Sequence, residues 1–307
     1  MGAIRVTQRM LVDRILSNLA YQSRRILSYQ EQLATGNKVN RPSDNPLNVR
    51  SAISARVRIY QNEQYLSNIT SARPYLNESE SAVMTVMNVV QRAKELALQG
   101  ANGSNSQLQR NQIATEVNQL LESALKEANH QTYGKYIFGG AVTMTKPFQE
   151  TRGLSGEINS VSYVGDDNYI YVEISEGSQV NINLTGREVF LPTITGSTDI
   201  FQALADLRDN LRTGNVSALQ QRIDELTRAI NQLSLALAKI GAITNRMETT
   251  EQDLESANIE LRRVISDNIE ADMAEVIVNL NSQTNAYQSA LNAASKVIQP
   301  SLLDYIR

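Results

Sequence analysis

The chain of 307 residues has little or none of several residue types that enzyme sites commonly use. It contains no cysteine, which excludes disulfide frameworks, cysteine-ligated zinc and cysteine nucleophiles. It has a single histidine, His130, so paired histidine relays and histidine-rich metal sites are excluded too. Tryptophan is absent, and aromatic residues make up only 5% of the chain, too few to line a large cofactor pocket. We therefore expect no enzyme, no bound metal and no cofactor.

The chain also has no large excess of either charge and no long apolar run. The 29 basic and 32 acidic residues give a formal net charge of −3, whereas nucleic-acid binding needs a basic excess to neutralise phosphates. No apolar run reaches the roughly 18 residues typical of a membrane-spanning helix. Residues 1–12 show no apolar core of a cleavable signal peptide. We expect neither nucleic acid nor a membrane as partner.

Proline is scarce, and none occurs between Pro192 and Pro300. Apolar residues in this stretch recur every seven positions, a spacing typical of helices that pack along narrow seams. The longest series consists of Leu226, Leu233, Ile240, Met247, Leu254 and Leu261. A second helix is predicted to begin near Met273, after a shift of phase at residues 268–272, and to end at Pro300.

The first 40 residues carry a heptad seam at Val12, Ile15, Leu19, Ile26 and Leu33. We expect Gly36 to end this helix, followed by a link that contains Pro42. Asn45 and Pro46 suit the cap and the first position of the next helix. That helix is predicted to kink or break at Pro74.

Capping residues mark three further helices. Ser106 is predicted to start a helix that runs to about Gln131. Asp199 and Gly214 should enclose a short helix. Ser217 and Gln220 form a capping-box pattern for the long helix that follows.

Residues 141–198 differ from the rest, because short alternating runs and turn residues replace the heptads. Residues 165–168 and 175–178 are predicted to be hairpin turns between short strands. The fold class is therefore mainly α, a long antiparallel helical bundle or coiled coil of the N- and C-terminal segments with a small antiparallel β insertion domain.

Five segments follow from these boundaries: an N-terminal assembly helix and link (1–45), the N-terminal half of a helical core (46–140), the β insertion (141–198), the C-terminal half of the core (199–266) and a C-terminal assembly helix (267–307). The two ends must meet for their seams to pair. Their charges favour this, with +4 over residues 1–45 and −3 over residues 265–307.

The residues from Leu33 to Pro46 resemble the link after the first helix of bacterial flagellins. Residues 96–121 are similar to the helix–turn–helix of the flagellin core, and residues 271–275 and 287–291 to the flagellin C-terminal helix. The resemblance covers about residues 1–140 and 200–307. It implies a structural subunit of the bacterial flagellum, located outside the cell and exported without a cleavable signal peptide.

Three details resemble the members of this family that join hook to filament, rather than the filament subunits. They are Pro42–Pro46, residues 136–140 with 146–148, and the tail from Ser301 to Ile306. The resemblance implies an adaptor for flagellin polymerisation and torque transmission. Its expected partners are a neighbouring hook-associated protein, flagellin, copies of itself in a ring, and an export chaperone on the C-terminal helix. A filament flagellin is the alternative.

The heptad seams of both ends are the candidate assembly interface, because seams this narrow are typical of helices that pack against partner helices. Its predicted residues are Val12, Ile15, Leu19, Ile26, Leu33, Met273, Leu280, Tyr287, Leu291, Leu302 and Leu303.

A more distant alternative is a secreted binding protein or hydrolase with its site in the β insertion. His130 invites a catalytic interpretation, but no second histidine or cysteine supports it. Asp166, Asp167 and Glu173 could bind Ca²⁺, although Asp and Asn are common in hairpin turns without an ion. The sequence shows no nucleophile–base pairing and no metal cluster, which favours the assembly subunit.

Overall fold

The computed structural model describes residues 8–103, 105–192 and 196–303, with side chains from residue 10 to residue 296. These residues form two units. The first comprises the described residues up to Gln61 and from Ser256 onward, and the second runs from Asn62 to Glu255.

The helices are α1 (Gln8–Thr35), α2 (Pro46–Gly100), α3 (Gln107–Ala128), α4 (Gly186–Phe190), α5 (Ile200–Thr213), α6 (Val216–Ile269) and α7 (Met273–Leu303). The strands are β1 (Gln131–Thr132), β2 (Lys135–Tyr136), β3 (Phe148–Arg152), β4 (Ile158–Tyr163), β5 (Tyr171–Ser175) and β6 (Ser178–Asn181). The predicted fold class, mainly helical with a small antiparallel β insertion, is confirmed.

In the first unit α1 packs against α7, so the two ends of the sequence meet as predicted. The predicted α1 positions from Val12 to Leu33 are partly buried, while Leu16 and Leu27 beside them are exposed. The buried or partly buried stripe on α7 consists of Val276, Leu280, Gln283, Tyr287, Ala290 and Ala294. Its alternating spacing of four and three residues is that of a coiled-coil seam.

The two links of the first unit are joined by backbone hydrogen bonds. Gly36, with φ 73°, ends α1 as predicted. Lys38 N donates to Ile269 O, and Ala271 N donates to Gly36 O, both at 2.8 Å. Asn37 and Glu270 form an antiparallel bridge between these bonds. The chain therefore fixes the end of α1 beside the start of α7.

The predicted helix end at Pro300 is wrong, and of the two outcomes predicted for Pro74, a kink or a break, the break is excluded. Helix α2 continues through Pro74. Proline in a helix interior costs about 3 kcal/mol, and the neighbouring buried side chains of Ile69 and Leu76 contribute about 1.5–3 kcal/mol each. Helix α7 likewise continues through Pro300, because one missing N–H leaves the other hydrogen bonds of the turn in place. A kink at Pro74 stays a prediction.

The second unit has one continuous apolar core. The heptad residues Leu226, Leu233, Ile240, Met247 and Leu254 are buried in it, together with residues of α2, α3 and α5. The same core contains side chains from the β segment, which comprises residues 131–191, such as Phe148, Ile158 and Phe190. The β segment therefore packs into the helical unit, and the division of the chain into five segments stays a prediction.

The β segment contains three two-stranded antiparallel sheets, β1–β2, β3–β4 and β5–β6. The predicted hairpin turn at residues 175–178 is confirmed, with Gly177 at φ 69°. The hairpin turn at residues 165–168 is wrong, because β4 pairs with β3 and this segment only leads to β5. Asp166 holds it in place by accepting a hydrogen bond from Ala141 N.

Most predicted helix ends are confirmed. Ser106 and Gln109 form a capping box at α3, which ends slightly earlier than predicted, at Ala128. Asp199 accepts from Gln202 N at 3.0 Å, and Gly214 ends α5 at φ 70°. The predicted capping box of Ser217 and Gln220 is wrong. Asn215 caps α6 instead, since its Oδ1 accepts from Ala218 N at 3.2 Å.

Candidate assembly surface

The structure divides the predicted interface residues into three groups. Val12, Ile15, Leu19, Ile26 and Leu33 of α1 lie on a partly buried stripe, as do Leu280 and Tyr287 of α7. Met273 and Leu291 lie off the α7 stripe and are 40% and 43% exposed. Leu302 and Leu303 belong to α7, but their side chains lie outside the described residues.

The stripes are only partly buried because two helices cover each other on one side alone. Each seam residue of α1 keeps an exposed fraction well above that of the second unit's core residues. Burying the rest of such a side chain contributes up to about 1.5–3 kcal/mol before ordering costs. The seam therefore gains stability from further helices that cover its open side.

Sequence reasoning missed a second set of apolar residues in the first unit. Its large exposed apolar side chains outside the predicted interface are Met10, Leu11, Leu16, Tyr21, Leu27, Leu47, Ile53, Val57, Tyr60, Ile259, Ile277 and Val278. The second unit is longer but exposes fewer such side chains. Where such side chains lie side by side, they indicate an interaction surface.

The start of α2 shows the clearest example. Ala52, Ala55 and Ile59 are buried, and at 100° per residue they share one face of the helix. Ile53 and Val57 lie on the opposite face and are exposed. A helix that is apolar on both sides is typical of one that is buried on both sides. The larger apolar residues at 53 and 57, beside alanines at 52 and 55, were the signal that could have revealed this face.

A cleft of about 260 Å³ borders this face. Its apolar wall includes Val39, Val49 and Ile269, and its basic residues are Arg41 and Arg56. It lies within the first unit, beside the hydrogen-bonded links. The cleft thus combines an apolar wall with positive charge.

In the second unit, the histidine considered from the sequence as a catalytic residue lies beside two carboxylates. His130 Nε2 lies 3.0 Å from Glu78 Oε2, and its Nδ1 lies 3.7 Å from Glu127 Oε2. All three side chains stand on or next to helices without a nucleophile between them. Among the described residues, no group of three or more His, Cys, Asp or Glu side chains is arranged to hold a metal ion.

The carboxylates considered for Ca²⁺ each have their own partner. The side-chain amide of Asn168 donates to Asp166, which lowers the pKa of that carboxyl. Asp167 Oδ2 pairs with Arg187 Nε at 2.9 Å, and Glu173 accepts from Gly177 N. Nearby, burial raises the pKa of the Tyr163 hydroxyl to about 12. These groups fix the loops of the β segment.

Over the described part of the chain, none of the helices combines the length and apolarity needed to cross a membrane.

Two family models match the chain. The bacterial flagellin N-terminal helical region matches residues 6–143, and the bacterial flagellin C-terminal helical region matches residues 223–306. Together they cover more than half of the sequence, from α1 to β2 and along most of α6 and α7. The chain belongs to the bacterial flagellin family, which confirms the resemblance seen in the sequence.

Several relatives match the chain over most of its length. Flagellar hook-associated protein 3 of Escherichia coli (strain K12) is 25% identical over 312 residues, which cover 94% of this chain and 96% of the relative. The 30.7 kDa flagellar filament core protein of Treponema maltophilum is 24% identical over 262 residues, with 85% and 84% covered.

Solved structures share the fold. The flagellar junction protein FlgL of Legionella pneumophila superposes with a TM-score of 0.60 at 17% identity, covering 73% of this chain and all of that one. FlgL of Bacillus cereus gives a TM-score of 0.58 at 21% identity, covering 69% of this chain and 99% of its own.

Proposed function

We propose that this chain is a structural subunit of the flagellum that joins hook to filament. One observation carries the proposal most directly. The alignment with flagellar hook-associated protein 3 of Escherichia coli spans 94% of this chain and 96% of the relative, and so extends across the β segment as well as the family's helical regions. Alignments with two Treponema maltophilum filament proteins span 85% and 81% of this chain.

The geometry supports different roles for the two units. The first unit carries the partly buried seams and the exposed apolar faces, and it contacts neighbouring subunits. The second unit, with its continuous core, is the rigid body that transmits torque. Val12, Ile15, Leu19, Ile26, Leu33, Met273, Leu280, Tyr287, Leu291, Leu302 and Leu303 form part of the assembly interface.

The proposed partners follow from this role. The subunit contacts a neighbouring hook-associated protein on one side, flagellin on the other, and copies of itself around a ring. Before assembly outside the cell, an export chaperone covers the exposed and partly exposed apolar side chains of α7.

Deleting the gene in its own bacterium tests the role. We expect electron microscopy to show hooks without filaments, with flagellin released into the medium, and the wild-type gene should restore filaments. Filaments that still grow on the hooks of the deletion strain would contradict the proposal.

Filament flagellin is the second candidate, favoured by the alignments with Treponema filament proteins. A filament subunit adds to its own kind indefinitely through a heterologous interface. Purified protein seeded with sheared filaments should therefore form long polymers if this candidate is correct. We expect no long polymers of this chain alone.

A further inference from the structure

The start of α2, which borders the cleft, is rich in positive charge. Three arginines and no acidic residue occur between residues 45 and 62, namely Arg50, Arg56 and Arg58. Arg56 lines the cleft and forms no ion pair with any residue that the structure describes. Arg41, on the same cleft, approaches Glu31 only to 3.8 Å, and both side chains are exposed. The Arg56 guanidinium is thus available to a partner.

The start of α7 carries negative charge instead. Asp272 and Glu275 are acidic, and no basic residue occurs between residues 271 and 295. Exposed apolar side chains on the first two turns are Met273, Ile277 and Val278. The Glu275 carboxylate has no ion pair within the described part of the chain. This acidic apolar surface complements the basic apolar cleft in both charge and polarity.

We propose that the cleft of one copy receives the start of α7 from a second copy. Val278 then contacts the apolar wall, and Glu275, which lies about 60° away around the helix, is placed beside Arg56. A volume of about 260 Å³ holds one or two branched side chains, and the exposed face with Ile53 and Val57 continues the contact.

A second copy is the occupant because the same chain exposes both complementary surfaces. Neither surface covers the other within the first unit, since Ile53 and Val278 are both exposed. The contact joins two different surfaces, so it is heterologous and closes into a ring when the rotation between copies closes. The inference rests on the proposed function, in which copies surround the flagellar axis.

Disulfide cross-linking tests this pairing, because the chain contains no cysteine of its own. Ile53→Cys and Val278→Cys are made in separate genes and expressed together in the deletion strain. A disulfide between the two variants can form only between copies, and the surroundings outside the cell permit its oxidation. Ile53→Cys with Leu108→Cys, an exposed residue of the second unit, is the matched control pair.

We expect the cross-linked dimer of the Ile53→Cys and Val278→Cys pair to exceed that of the control pair by about tenfold, since adjacent sites have a high effective concentration. Arg56→Glu added to the first chain should reduce the dimer, and Glu275→Arg in the second chain should restore it. Equal dimer yields in the two pairs, in cells whose filaments are restored, would overturn the pairing alone. Failure of the wild-type gene to restore filaments would instead contradict the proposed function.

Discussion

At the scale of single residues, Arg208 is a buried cation that ties three elements together. It is only 2% exposed, and its Nη1 donates to Asn118 Oδ1 of α3 at 3.1 Å and to Ile158 O of β4 at 2.8 Å. Its Nε and Nη2 donate to the exposed carboxylate of Asp209. Arg208 thus fixes the first β4 residue onto the α3–α5 pair.

Arg208→Ala should lower the free energy of unfolding by about 2–4 kcal/mol, because it leaves buried acceptors on Asn118 and Ile158 unsatisfied. Arg212→Ala on the same helix is the control. Its pair with Glu157 is partly exposed, so its loss should cost less than about 1 kcal/mol. Urea unfolding followed by circular dichroism measures both. Equal losses in the two variants would contradict the assigned role of Arg208.

Asp199 makes stability depend on pH. Burial raises the pKa of its carboxyl above the usual value, although the backbone N–H of Gln202 stabilises the charged form. A raised folded-state pKa means that the folded chain binds the proton more tightly than the unfolded chain. This contribution therefore favours folding at low pH, and it is lost as the pH rises through the raised pKa.

Asp199→Asn keeps a capping oxygen for α5 and removes the titration. Relative to this variant, the wild type should lose unfolding free energy as the pH rises from about 4, the usual pKa of an aspartate carboxyl, through the raised pKa of Asp199. Asp199→Ala is the control for the cap itself, with a loss of about 1 kcal/mol expected. Parallel stability curves for the wild type and the Asn variant would refute the assignment.

At the scale of elements, the seam of α7 and the β segment have separate roles. Leu280 lies on the partly buried stripe of the first unit, whereas Phe148 is fully buried in the second unit. Phe148 packs against Tyr163, Phe190 and Phe201 with ring centroids 5.1–5.4 Å apart. Substitutions at the two positions should therefore produce different losses.

Leu280→Asp should abolish filament attachment while the second unit stays folded. A charge in the seam without a partner costs several kcal/mol when the seam is covered in the assembly. Asn281→Asp, at an exposed neighbouring position, is the control and should leave swimming intact. Motility on soft agar and thermal unfolding of the purified variants measure the two effects. Normal swimming of the Leu280→Asp strain would show that α7 does not assemble through this stripe.

Phe148→Ala should destabilise the second unit by about 3–5 kcal/mol, the usual cost of removing a buried phenyl ring. Tyr171→Ala, in the exposed part of β5, should cost far less. Chemical denaturation compares them. A small loss in the Phe148 variant would mean that the β segment is separate from the helical core, as the sequence first suggested.

Local sequence signals predicted the helices well because capping acts over a few residues. Gly36, Ser106, Asp199 and Gly214 each lie at a helix end where they were expected. Strand β3 was missed because its pairing depends on β4 and on Asn129, whose side chain bonds both the N and O of Phe148. Such partners are set by tertiary contacts that periodicity does not reveal.

The seams were predictable, but the remaining assembly surface was not. Heptad spacing identified the stripe that packs one helix of the chain on another. It says nothing about Ile53, Val57 or Val278, which lie off that spacing and are apolar on a face that this chain leaves open. A surface that only a second molecule covers leaves no periodic pattern in the sequence. It could be recognised only from the exposure of each residue in the structure.

At the scale of the whole molecule, the proposed function places this family member at one position, between hook and filament. A filament subunit would instead occupy the whole length of the filament. The two roles share the fold and the seams, so position along the flagellum distinguishes them. The chain suits such a measurement because it has no cysteine and its β3–β4 turn carries the fully exposed Leu154.

Leu154→Cys, expressed in the deletion strain and labelled with maleimide-linked gold, gives the most direct test. The single thiol lies on an exposed turn of the second unit, whereas the proposed interface belongs to the first unit. Electron microscopy should show gold in one narrow band where the hook ends and the filament begins. Gold along the entire filament would contradict the account and identify the chain as a filament flagellin.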